Sequence, residues 1–241
     1  MVTSQESSAQ SKRKKGQKET AKQFELSDQM LKMYSFRSIG PAAYSGRISD
    51  LAVNPENTSE YYVGVASGGL WKTINHGTTF EPIFDDQPVF SIGCLAMDPN
   101  NSNVVWVGTG ENNTQRNLAY GDGVYKTTDG GLTWNKTHTI PFKIFSVIGW
   151  YFTDVYVNPK DDDEVYCLGV RLAHSTDGGK TFSLVNMRHV HFDLHSMWID
   201  PNDTDHMALS GDGGVSITYD GAKTWQQTVL PIGQFYEVSV D

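Results

Sequence analysis

The sequence predicts an all-β protein: a β-propeller of four-stranded antiparallel blades, about four of them plus one extra strand, in a partial ring. Three observations carry this. A short turn element recurs four times, a β-rich run ending in Asp-Pro or Asn-Pro precedes each copy, and two further strands fit between them. A period of roughly 40–50 residues belongs to propellers and solenoids. Four complete strands per unit favour the propeller over a solenoid of separate hairpins.

The turn copies run Thr73 to Phe80, Thr127 to Trp134, Ser175 to Phe182 and Thr218 to Trp225, and their last Thr steps by 54, 48 and 43 residues. Each has a physical logic. The acid or amide of Asn75, Asp129, Asp177 and Asp220 accepts from turn backbone N–H groups. Gly77, Gly131 and Gly179 permit positive φ where the chain reverses. The Ser or Thr hydroxyl closes the turn, and the aromatic opens the next strand and packs between sheets. Two copies depart from the pattern: Asn75 stands for the acid in the first and Ala222 for the glycine in the last.

The first strand of each blade (A) ends at Pro55, Pro99, Pro159 and Pro201. The second (B) runs over 61–66, 104–109, 165–170 and 207–210. A third (C), as in Gly69 to Lys72 and Gly123 to Lys126, leads into the turn, and the fourth (D) follows it. Past the last turn, residues 234–241 read as strand A of a fifth blade, and Phe36 to Ile39 as a strand D supplied from the N-terminal side. Residues 138–152 depart from the pattern, where a longer connection between blades is expected. Residues 1–23 read as a disordered basic tail, 24–35 as a short helix or linker capped by Ser27, and 36–241 as the blades. An open set of blades exposes strand edges and an apolar seam, which invites self-association or a covering partner.

Further stretches extend the pattern: Phe36 to Pro41, Ser45 to Asp50, Ala66 to Thr73 and Gly108 to Asn113. Over residues 36–241 the chain resembles Asp-box (BNR-repeat) propellers, of the sortilin-like group and of the bacterial glycosyl-hydrolase-like BNR-repeat proteins. The sortilin-like resemblance implies binding of peptides or proteins. The hydrolase-like one implies a glycoside hydrolase acting on a polysaccharide or oligosaccharide. Xyloglucanase-like relatives of this class carry a catalytic Asp shortly before a Gly pair. The corresponding stretch, Gly64 to Gly69, holds no acid.

Composition bounds the partners. The formal charge is −9, with six basic against two acidic residues in 1–23, leaving 13 basic and 26 acidic beyond. An acidic body argues against nucleic acid. No stretch approaches the roughly 20 apolar residues of a membrane span. The resemblance implies export, yet no apolar segment follows Lys12 to Lys15 to make a secretory signal. Five Asn-x-Ser/Thr sequons, at Asn57, Asn100, Asn112, Asn135 and Asn202, matter only if the chain is exported. Cys94 and Cys167, the only cysteines, sit in apolar alternating stretches and read as buried thiols.

Topology marks one working face. The A–B loops and the turn elements open on one side, and the B–C loops and D–A connections on the other. The second side collects the unusual polar residues: Arg47, Glu111, Asn112, Arg116, Arg171, His191, His195 and Asp212 as candidate ligand contacts. Arg37 joins Arg47, Arg116 and Arg171 as possible partners for a carboxylate. A glycosidase needs two carboxyl groups roughly 5–9.5 Å apart, and the candidates are Glu111, Asp193 and Asp212, with Asp122 beside them. His189, His191, Asp193 and His195 share a side if the segment is extended. This is a weak zinc motif without a supporting helix or cysteine set. Calcium at Asp161 to Asp163 competes with a simpler solvated hairpin turn. No cofactor is otherwise implied. The expected partner is a peptide, protein or glycan.

Overall fold

The structure is a computed structural model that describes residues 46–111, 119–139, 154–229 and 238–240. Among the described residues sixteen strands form four separate four-stranded sheets. Blade 1 holds β1 (Ile48–Val53), β2 (Tyr61–Val65), β3 (Gly69–Thr73) and β4 (Glu81–Pro82). Blade 2 holds β5 (Ile92–Asp98), β6 (Asn101–Thr109), β7 (Val124–Thr127) and β8 (Asn135–Lys136). Blade 3 holds β9 (Asp154–Asn158), β10 (Asp161–Leu168), β11 (Ala173–Ser175) and β12 (Ser183–Leu184). Blade 4 holds β13 (Leu194–Ile199), β14 (Met207–Gly211), β15 (Gly214–Thr218) and β16 (Gln226–Thr228). Within each sheet the strands pair antiparallel in chain order, giving the A-B-C-D blade the repeats predict.

The turn residues act as their chemistry dictates. Thr127 Oγ1 donates to Asp129 Oδ1 at 2.7 Å and accepts the Gly131 N–H at 3.0 Å. Asp129 also accepts the Thr133 N–H at 2.9 Å and its hydroxyl at 2.6 Å. The copies at Asp177 and Asp220 repeat this set. In blade 1 the amide reverses one bond: Asn75 Nδ2 donates to Thr79 Oγ1 at 2.8 Å. Ala222 adopts φ 64°, the left-handed region its glycine counterparts occupy in the other blades.

Alternation along the strands builds the seams between blades. Tyr62, Leu70 and Phe84 of blade 1 pack against Leu95, Val105, Val107 and Trp134 of blade 2. The Tyr62 hydroxyl also donates to the Gly130 carbonyl at 2.9 Å. The next seams bring Trp106 and Val124 onto Val165 and Cys167, then Tyr166 and Leu172 onto Leu209 and Trp225. Each buried aromatic removes roughly 150–250 Å² from water, so these seams dominate the stability of the stack. Both cysteines are buried and unbridged, and burial pushes the Cys167 thiol up to about 12.

Three expectations change or fall elsewhere. The hairpin turn falls at 159–160, and Asp161 to Asp163 follow it as the solvent-facing start of β10, where the Asp162 and Asp163 carboxylates accept Lys126 Nζ at 2.9 and 2.8 Å. Strand A of blade 4 begins at Leu194. The tail, the short helix at 24–35, Phe36 to Ile39 and the connection at 140–153 lie outside the described residues, as does most of the expected fifth-blade strand; its residues 238–240 are not a strand. Among the described residues no helix is long and apolar enough to cross a membrane.

Candidate functional site

The B–C loops and D–A connections carry two side-chain groupings, with a third below them on the innermost strands. A shared backbone device helps to place them. In blades 1, 2 and 4 strand A bulges near its start, between Ile48 and Asp50, Ile92 and Cys94, and Leu194 and Ser196. A bulge leaves one residue out of the ladder and re-aims its side chain. In blade 4 that residue is His195.

The first grouping joins blades 1 and 2. Arg47 forms an ion pair with Glu111. The Glu111 side chain is only 4% exposed, against 46% for Arg47. Glu111 also accepts the Ala119 N–H at 3.3 Å, and its own N–H donates to the Ala119 carbonyl at 3.1 Å. It therefore pins the two ends of a long loop whose middle, with Asn112 and Arg116, lies outside the described residues. Asp122 accepts the Tyr125 hydroxyl at 2.6 Å and Lys136 Nζ at 2.9 Å. The Tyr125 bond, with Lys136 behind it, holds this carboxyl below its ordinary range.

The second grouping joins blades 3 and 4. His195 Nε2 lies 2.7 Å from Asp212 Oδ1, with the His195 side chain 5% exposed. The Arg171 guanidinium stands over the Phe192 ring at 5.7 Å. His191 packs against Gly213, where a Cβ would strike its side chain. His191 Nδ1 donates to the Phe192 carbonyl at 2.6 Å. A small pocket beside it is lined by His191, Leu194, Gly211 and Gly213. The segment before β13 is not extended: His189 and Asp193 take φ 71° and 66°. The shared side expected for His189, His191, Asp193 and His195 is thereby lost, and only His195 lies in a strand. Among the described residues no three His, Cys, Asp or Glu side chains are grouped to hold a metal.

The third grouping escaped the sequence reading. Asp50, Cys94, Asp154 and Ser196 occupy the same position on the innermost strands, five residues before each blade's proline. Asp50 reaches from blade 1 to accept the Leu95 N–H of blade 2 at 2.7 Å, and it accepts the Leu51 N–H at 2.7 Å. Asp154 accepts the Val155 N–H at 3.0 Å and the Tyr156 hydroxyl at 2.9 Å. The Tyr156 hydroxyl also lies 3.3 Å from Ser196 Oγ in blade 4. Desolvation pushes Asp154 up to about 7, and the charge of Asp50 adds to the effect. Burial raises Asp50 too, against its two N–H bonds. An acid inside an otherwise apolar strand is the signal that marks such positions.

The structure thus brings Arg47 to Glu111, and Arg171, His191, His195 and Asp212 to neighbouring loops of blades 3 and 4. Glu111 is turned to Arg47 and the Ala119 N–H, and Asp212 to His195. Within the stretch Gly64 to Gly69, Ala66 is 1% exposed and its carbonyl accepts Ser91 Oγ.

With this geometry in view, comparisons with known proteins place the architecture. Two solved structures share it: an ancestral GH74 enzyme, with TM-score 0.57 at 16% identity, and the GH74 xyloglucanase from Xanthomonas campestris, with TM-score 0.56 at 17% identity. The alignments cover 78% and 75% of this chain. The fold is a β-propeller. The chain spans only 24% and 30% of those two proteins. A probable oligoxyloglucan-reducing end-specific xyloglucanase of Neosartorya fischeri is 27% identical over 137 residues, which is 52% of this chain and 15% of that protein. No family model matches the chain.

Proposed function

We propose that this chain is a ligand-binding propeller of the Asp-box type, whose B–C and D–A loops take a peptide, protein or glycan. The observation that carries the reading is the Arg47–Glu111 ion pair. The most buried acid of the face is committed to holding a loop and an arginine in place, leaving Glu111 no role as a solvent-facing acid or base. The face then offers cationic and aromatic groups: the exposed Arg171 and Phe192, and His191 beside them. Such groups bind carboxylates and stack on flat ligand surfaces. This supports a sortilin-like mode, in which the loops capture and do not cut.

Calorimetric titration with acidic peptides and with xyloglucan oligosaccharides tests the reading. Saturable binding by one class, weakened at least tenfold by Arg171→Ala, is expected. No heat from either class, or binding indifferent to Arg171, contradicts it.

One observation favours hydrolysis of a glycoside as a second reading. Asp50 and Asp154 are two carboxyl groups on the innermost strands, and Asp154, pushed up to about 7, is about half protonated at neutral pH. Groups poised in this way can serve as acid and base. The similarity to xyloglucanases makes a plant-type glucan the natural substrate to try.

A further inference from the structure

Two D–A connections on the loop face match in length and anchorage yet carry opposite charge. Residues 83–91 lead from β4 to β5, and residues 185–193 lead from β12 to β13. The first starts with the Ile83 N–H on the Leu70 carbonyl at 3.0 Å and ends with the Ser91 carbonyl accepting the Gly110 N–H at 2.8 Å. The second repeats both bonds, from the Val185 N–H to the Leu172 carbonyl at 2.9 Å and from the Asp212 N–H to the Asp193 carbonyl at 3.2 Å. Position for position, Asp85 and Asp86 correspond to Met187 and Arg188, and Phe90 corresponds to Phe192. The B–C loops follow suit. A Cβ on Gly69 would stand 3.7 Å from Asp85 Oδ1, and the counterpart of Gly69 in blade 3 is Arg171, over the Phe192 ring.

Both places offer an aromatic ring to solvent. Phe90 is 58% exposed and Phe192 49%. Tyr120, 67% exposed, adds a second ring to the first place, its hydroxyl donating to the Pro88 carbonyl at 3.2 Å. Asp85, Asp86, Arg171 and Arg188 are all exposed, and among the described residues none of the four forms an ion pair. The charges beside them are already engaged: Arg47 with Glu111 next to the first place, Asp212 with His195 next to the second. The partly buried Asp193 stands at the foot of the second connection. The face is therefore acidic and aromatic over blades 1 and 2, and cationic and aromatic over blades 3 and 4.

We infer that the ligand of this face is a polypeptide segment with basic residues at one end and acidic residues at the other, lying across it from Asp85 and Asp86 to Arg171 and Arg188; this rests on the binding reading of the loop face. Complementary charge fixes the register of a bound chain, and like charge set against like charge rejects a wrong one. Polysaccharides commonly carry carboxylates, sulfates or no charge, so Asp85 and Asp86 would oppose an acidic glycan or go unanswered by a neutral one. A polypeptide supplies both signs along one chain. The exposed rings at each end are the residue type that anchors such interfaces.

Fluorescence anisotropy with labelled peptides of equal length tests this. One peptide has lysines at one end and glutamates at the other, one has glutamates at both ends, and one has lysines at both, each around a flexible Gly-Ser spacer. Wild type is expected to bind the mixed peptide at least about tenfold more tightly than either uniform one. Asp85→Lys with Asp86→Lys is expected to move the preference to the glutamate peptide, and Arg171→Glu with Arg188→Glu to the lysine peptide. All four positions are exposed, so the blades tolerate the changes, and circular dichroism checks that each variant folds. A wild type that binds either uniform peptide as tightly as the mixed one, or variants with unchanged preference, overturns the inference and leaves loop-face binding standing. Binding confined to xyloglucan or polygalacturonate fragments, with no peptide bound, overturns it in favour of a glycan. No binding of any probe overturns both the inference and the binding reading.

Discussion

The carboxylate of Asp154 accepts the hydroxyl of Tyr156, two residues further along the same inner strand, at 2.9 Å. That hydroxyl in turn approaches Ser196 across the seam to blade 4. The arrangement sets a titratable group at the joint between two blades, with Asp50 as its charged neighbour.

Stability falls with rising pH through this group. The Asp154 pKa is raised in the folded protein to about 7 from an ordinary 3.8. The folded state therefore binds the proton more tightly than the unfolded state. The stabilisation is complete below about pH 4 and is lost as pH climbs through about 7. Asp154→Asn keeps an acceptor for Tyr156 and mimics the protonated acid. We expect a higher urea midpoint than wild type at pH 8 and little difference at pH 5.

The turn acids act in the opposite sense. Hydrogen bonds from the Thr133 hydroxyl and N–H hold Asp129 at about 2. Its contribution is present above about pH 4 and lost as pH falls through about 2. Asp129→Asn reproduces what Asn75 does in blade 1 and should fold with most of its neutral-pH stability. Its urea midpoint should depend less on pH between 4 and 2 than that of wild type. Asp129→Ala leaves the Thr133 N–H without its partner and should lower the midpoint at every pH above 4.

Arg47 and Glu111 are separable by a double-mutant cycle. Arg47→Met strands a buried carboxylate and should cost about 1–3 kcal/mol, less than a fully buried pair because Arg47 is half-exposed. Replacing both residues, as Arg47→Met with Glu111→Leu, should recover part of that loss. Additive losses in chemical denaturation would show that the pair contributes nothing as a pair.

His189 takes a left-handed φ of 71° while exposed. A non-glycine residue there is strained by roughly 1–2 kcal/mol. His189→Gly should raise stability by about 1 kcal/mol and leave any zinc binding unchanged. A drop in zinc affinity by titration would restore this histidine as a ligand.

Much of the fold is legible in the chain because each blade repeats its own turn chemistry. Thr127, Asp129 and Gly131 are local signals, and hydrogen bonds within the turn satisfy them. The Pro-terminated strands add a second local signal. The site is less legible because its relations span blades. Arg47 and Glu111 sit on one predicted face, but nothing in sequence spacing joins them. Asp50 and Asp154 are separated by one intervening blade and look like single polar interruptions of apolar strands until the repeats are laid over one another. The histidine run misled through an assumption of extended backbone, which the left-handed residues His189 and Asp193 break.

Release of reducing ends from xyloglucan oligosaccharides tests the central claim most directly. The binding reading predicts that the wild-type protein releases no more than an Asp50→Asn, Asp154→Asn variant, while still binding a ligand on its loop face. Release above that blank, abolished by Asp154→Asn alone with binding retained, contradicts it and makes the inner-strand carboxyl pair an active site.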